Sequence, residues 1–139
     1  MSNPKDILIT FNPGDQVRAS VDVLVDCAKL QIKKGRDYQN AASTIRQADY
    51  YPSGVKTIYE IMHAKMLRIR SLIDVYEQNP TQSPNFESIE DSFKDLINYT
   101  SFAASYAKGE IDGQREGFDM LNREIKHPVP PIPEPIEVK

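Results

Sequence analysis

Four polar side chains recur about one helical turn apart in the stretch Asn85–Gly109, NFESIEDSFKDLINYTSFAASYAKG: Glu87, Asp91, Asp95 and Asn98. At about 100° per residue they share one side of a helix, and Phe86, Ile89, Phe93, Leu96, Ile97, Thr100 and Ala104 share the other. Three carboxylates stacked in this way repel one another unless positive charge sits among them. Lys94, the nearest base, lies off the stripe. Phe102 and Tyr106 continue along the acidic side and call for cover. The spacing predicts that this side faces a groove or another chain. A solvated acidic first half of a helix, favoured by the macrodipole, is the plainer alternative.

A basic pair stands on the preceding helical stretch. Ile58, Ile61, Met62, Ile69, Leu72 and Tyr76 form an apolar stripe, with Lys65 in its middle and Arg68 at its edge. Burying an unpaired ammonium costs several kcal/mol, about the cost of breaking a buried pair, so Lys65 calls for a carboxylate or a bound anion. Snorkelling of its head into water is the alternative. The acidic stripe of the next helix favours a partner, and Asp91 or Asp95 is the expected one.

These groups need helices to position them. Asp15 is the expected N-cap of a helix running to Lys34, with Gly35 at the C′ position and Val17, Val21, Leu24, Ala28 and Ile32 as its apolar stripe. Cys27 lies beside that stripe and reads as a small buried thiol. Arg36–Asn40, RDYQN, gathers ionic, aromatic and amide groups in a polar connection of the kind that often carries function. Ala41–Asp49 is a short helix by pattern. Tyr50–Gly54 breaks it and reads as a mobile lid. The second long helix starts near Thr57, a candidate N-cap with Glu60 three residues on, and ends near Tyr76. Gln78–Pro84 is a linker. Asp112–Lys126 has weak helical signal. His127–Lys139 holds five of the ten prolines and reads as an extended tail. Ile7, Leu8, Ile9 and Phe11 read as a short strand or packed arm.

The expected fold is therefore all-α, an antiparallel helical bundle over residues 1–126 with a Pro-rich extended tail over 127–139. At 139 residues the chain is one domain with room for a core. A net charge of −3 gives no reason to expect general nucleic-acid binding. One cysteine, no membrane-length apolar run and no secretory pattern lead to an expected cytoplasmic location without membrane association. The six glycines form no Gly-rich phosphate loop. Phe102, Tyr106 and the apolar edge of the tail would be exposed in a monomer, so a homo-oligomer is expected.

Lys65-Met-Leu-Arg68-Ile-Arg-Ser-Leu72, followed by Glu87-Ser-Ile-Glu-Asp91-Ser-Phe-Lys-Asp95-Leu-Ile-Asn98-Tyr99, closely resembles the first nucleotide-modification-associated domain family of phages and bacteria. The family pattern is a Lys and an Arg three apart on one helix, then Asp-x-x-x-Asp-x-x-Asn-Tyr on the next. Asp37-Tyr38 resembles its upstream Asp-Tyr, with Gln39 where a glycine is usual. The resemblance covers roughly 34–108. It implies metabolism of nucleotides, and a host-cytoplasm setting if the chain is phage-encoded. A more distant similarity is to all-α nucleoside triphosphate pyrophosphatases, which hold Mg²⁺ with carboxylates on paired helices.

On that resemblance Asp91, Asp95 and Lys65 are the catalytic candidates, and Glu87, Asp91 and Asp95 the Mg²⁺ ligands. Arg68, Asp37, Tyr38, Asn98 and Tyr99 are the substrate-binding candidates. Mg²⁺ commonly takes one or two carboxylates plus substrate phosphates, and a metal-activated water would attack. Lys65 and Arg68 would hold phosphate, and Tyr38 or Tyr99 would stack on a base. The pyrophosphatases divide their acidic motif between two helices, whereas here the preceding helix offers only Glu60 and His63. Three functions stay open. They are a Mg²⁺-dependent nucleotide pyrophosphohydrolase, a non-catalytic protein that sequesters a nucleotide, and a helical assembly protein. Without a ligand, the same charges form an interhelical ion network.

Overall fold

The computed structural model describes residues 12–16, 18–80 and 86–126; the side chains of 86–88 lie outside that description. The N-terminal apolar residues Ile7–Phe11, Val17, most of the linker prolines' segment, the Glu87 side chain and the Pro-rich tail are therefore outside it. Three helices carry the fold: α1 (Ala19–Tyr38), α2 (Val55–Gln78) and α3 (Phe86–Ala107). Among the described residues there is no strand, only an isolated bridge between Phe118 and Glu124. The fold is an all-α bundle. No helix of the described residues is long and apolar enough to cross a membrane.

α3 is the middle helix. It runs antiparallel to α2: Lys65 meets Asp95, Met62 meets Thr100, and Ile58 shares a cluster with Tyr106. It runs parallel to α1, where Cys27 Sγ approaches the Lys94 carbonyl and Gln31 bonds Asn98 and Ser101. The order is up, down, up: residues 79–85 join the neighbours α2 and α3 directly, whereas the sixteen residues 39–54 carry the chain from α1 to α2.

The boundaries of α1 differ from expectation at both ends. Asp15 does not cap the helix, because its carboxylate accepts the Asn12 N–H at 2.7 Å and closes a separate turn. At the other end α1 passes through Gly35 without a break, and the Gln39 N–H closes on the Gly35 carbonyl at 2.8 Å. The last turn is held from outside the helix, where the Tyr38 ring meets Tyr50 edge-on at 5.2 Å. The expected apolar stripe is turned partly away from the bundle: Leu24 is 54% and Ile32 41% exposed, while Cys27 is buried. Gln31 faces α3 instead, drawn in by its amide hydrogen bonds.

The expected short helix Ala41–Asp49 contracts to one 3₁₀ turn, Gln47–Tyr50. Asn40 and Ser43 side chains take the Ala42 and Ile45 amides, and so compete with a helical ladder. Within Tyr50–Gly54, expected as a mobile lid, Tyr51 and Gly54 are buried and Asn122 Nδ2 donates to the Pro52 carbonyl, while Tyr50, Pro52 and Ser53 are exposed. Gly54, at φ +60°, is the N-cap of α2. Thr57 sits inside the helix, and its hydroxyl accepts the Ser53 N–H at 2.8 Å.

α3 ends at Ala107, and Gly109 two residues on closes it. The Glu110 N–H reaches the Ser105 carbonyl and the Gly109 N–H the Tyr106 carbonyl, with Gly109 at φ +80°. The expected weak helix over Asp112–Lys126 does not form. Gly113, Gly117 and Asn122 all take positive φ, and Asp119 gathers the Leu121 and Arg123 amides into a turn. This segment is a strap that returns over the start of α2, where the Met120 carbonyl accepts the Val55 N–H. Ala48, Tyr51, Ile58, Tyr106 and Ile111 form the core beneath it. Tyr106 is thus covered by the chain itself and Phe102 is half-buried, which removes the expected reason for a second copy at these residues.

Candidate functional site

A groove of about 580 Å³ opens between the second half of α1 and the middle of α3. That is within the roughly 300–1,000 Å³ of small-molecule sites. Asp95, Asn98, Tyr99 and Phe102 of α3 make its floor. Lys34 and Tyr38 line it from α1 and Gln39 from the C-cap, with Gln47 and Asp112 bonded to Gln39 beside them.

The cations converge on one carboxylate. Lys65 Nζ lies 3.4 Å from Asp95 Oδ2 and Lys34 Nζ 3.8 Å from Asp95 Oδ1. Lys65 and Asp95 are part-buried, and the Lys34 side chain is about half exposed. Lys65 Nζ also sits 5.3 Å from the centre of the Tyr99 ring, a cation–π contact. The expected partnership of Lys65 with α3 is thus present, and it falls on Asp95. Lys34 is the second cation, one that reads in sequence only as a helix C-terminal charge.

The amides are held firmly. Gln31 Nε2 donates to Asn98 Oδ1 at 2.9 Å and to Ser101 Oγ at 2.6 Å. Gln39 Oε1 accepts the Gln47 N–H at 3.0 Å, and Gln39 Nε2 donates to Asp112 Oδ2 at 3.1 Å. A glycine at position 39 could make neither side-chain bond. Gln47 Nε2 in turn donates to the Tyr51 hydroxyl at 2.6 Å.

The third group is aromatic. The Tyr99 and Phe102 rings meet edge-on at 5.8 Å, and Phe102 lies 6.4 Å from Tyr51. Burial first, then the neighbouring Tyr38 and Tyr51, pushes the Tyr99 hydroxyl up to about 12. Burial does the same to Tyr51, against the lowering effect of its bond from Gln47. Both are neutral phenols at any physiological pH and can donate or accept a hydrogen bond.

Of the residues singled out by motif, Tyr38, Asp95, Asn98 and Tyr99 line the groove, and Lys65 adjoins it through Asp95 and Tyr99. Arg68, Asp37 and Asp91 are exposed and stand outside the lining. The RDYQN stretch, flagged for its mixed chemistry, contributes Arg36, Tyr38 and Gln39. Gln31, Gln47 and Asp112 carry no sequence signal, because only the crossing of α1 over α3 and the return of the strap bring them in.

Among the described residues no group of three His, Cys, Asp or Glu side chains gathers as a metal site. Two ammonium groups also occupy the neighbourhood of Asp95, where a cation would need to sit. Of the three Mg²⁺ candidates, Asp95 pairs with Lys34 and Lys65, Asp91 is exposed, and the Glu87 side chain lies outside the described residues. No family model, curated protein or solved structure matches the chain.

Proposed function

We propose that the groove binds a nucleotide or nucleotide-derived small molecule and holds it without turnover. The observation that carries this reading is the meeting of cations, amides and tyrosines at one opening of ligand size. A phosphate oxygen arriving at Asp95 has two ammonium groups within reach, Lys34 and Lys65, each able to turn from carboxylate to phosphate. Tyr38 and Tyr99 offer ring faces to a base, and the Gln and Asn amides offer the donors and acceptors that distinguish base edges. Sequestering is favoured over hydrolysis because Lys34 and Lys65 can neutralise a phosphate without metal.

Hydrolysis remains the competing function, favoured by Asp91, an exposed carboxylate one turn from Asp95. Calorimetry against a panel of nucleotides, in Mg²⁺ and in excess chelator, with product analysis of the same samples, separates the two. Saturable binding in chelator with no product in Mg²⁺ is expected. Lys34→Met and Lys65→Met should each weaken it by about tenfold, the equivalent of one charge-assisted hydrogen bond. Product released only with Mg²⁺ would establish the hydrolase instead. A panel that shows no binding in either buffer would overturn both.

A further inference from the structure

The side of the α2–α3 pair away from the groove is apolar and open. Thr100 Oγ1 lies 3.9 Å from Met62 Sδ and marks that edge of the helix interface. One step outward on α2 stand Tyr59, Met66 and Ile73, spaced by heptads and so in one row, at 68%, 51% and 42% exposure. One step outward on α3 stand Phe93, at 45% exposure, half-buried Ile97 and exposed Ala104. The 24 residues of α2 extend about 36 Å, and two packed helices present a width of about 20 Å. The whole outline of this side is then about 700 Å², the most a second copy could cover and near the ~800 Å² that each partner contributes to a stable complex.

Its charges suit a copy of itself. Lys56 lies three residues before Tyr59 and Glu77 four after Ile73, each one helical turn beyond an end of the row, with Lys56 at its flank. Neither pairs with another charge among the described residues, whereas Arg70 between them is already bonded to Asp74 at 2.9 Å. Met66 lies midway between the two. A twofold axis there lays a second α2 antiparallel across the first, row on row, and sets each Lys56 against the other chain's Glu77. We propose that the outer face of α2 and α3 is a homodimer interface, centred on Met66 and closed at each end by a Lys56–Glu77 pair between copies. The groove lies on the far side of the helix pair and stays open in this dimer.

Light scattering over a concentration series tests this. The wild type should give twice 15.8 kDa, and Met66→Lys should give the monomer mass with unchanged helical circular dichroism. Lys56→Glu and Glu77→Lys should each weaken the dimer by about tenfold, since each removes two exposed pairs and adds repulsion. The double variant should recover wild-type affinity, an outcome that neither a different partner nor a parallel pairing gives. If Met66→Lys fails to fold, the charge exchange alone decides. A wild-type mass of 15.8 kDa at millimolar concentration, or a double variant no tighter than the singles, would overturn the proposal.

Discussion

Asp95 sits between two ammonium groups, Lys34 and Lys65, which hold its carboxylate in place. Both pairs are partly exposed, so each stabilises the fold by no more than about 1 kcal/mol. Asp95→Asn should therefore lower stability by up to about 2 kcal/mol, less in high salt, as thermal melts at two ionic strengths would register. Asp91→Asn, on an exposed residue away from the lining, should leave the melting temperature unchanged. Two tyrosines, buried Tyr51 and half-buried Tyr99, make stability pH-dependent in the alkaline range. Tyr51 and Tyr99 titrate near 12 in the fold against an ordinary value of 10, so the unfolded chain loses these protons first. Their contribution is complete below pH 10 and is lost as pH rises towards 12. Urea titrations at stepped pH should show that fall, and Tyr51→Phe with Tyr99→Phe should flatten it.

At the scale of elements, two glycines depart from their sequence reading in opposite directions. Gly35 looks like a helix stop, yet it lies within α1 with nothing within 4 Å of a Cβ placed on it. Gly35→Ala should stabilise the protein by about 0.5–1 kcal/mol, since the helix no longer carries the backbone entropy of glycine. Gly54 looks like an ordinary loop residue, yet it holds φ +60° and a Cβ there would collide with the Met120 carbonyl. Gly54→Ala should cost about 2–4 kcal/mol, by strain and by pushing the strap off the first turn of α2. Chemical denaturation of the two variants beside wild type reads both signs. The centres of all three helices were legible in the sequence because a helical apolar period is a local property. Their ends were less so. Asp15, Gly35 and Thr57 each carry a sound terminal signal, but the competing turn at Asn12, the packing of Tyr38 and the bond from Val55 to Met120 decide where helix begins and stops.

The whole molecule is organised from one end. Its core lies where the start of α2, the end of α3 and the strap meet, with Ile58 fully buried among Ala48, Tyr51, Tyr106 and Ile111. Ile58→Ala should destabilise the protein by about 2–5 kcal/mol. Ile45→Ala, at 49% exposure, should stay within about 0.5 kcal/mol in the same denaturant series. The all-α class and the pairing of Lys65 with the acidic helix follow from residue type and helical period, which act over a few turns and are written along the chain, whereas Tyr38, Asn98 and Tyr99 were singled out by the motif resemblance. The sequence did not disclose which carboxylate Lys65 meets, the second lysine at that carboxylate, or the amide chain from Gln31 to Asp112. Nor did it disclose that Tyr106 is covered by the strap. Each depends on the angle at which one helix crosses another and on where a glycine-bent segment returns. Those are set by the joint packing of residues far apart in sequence, which no local pattern records.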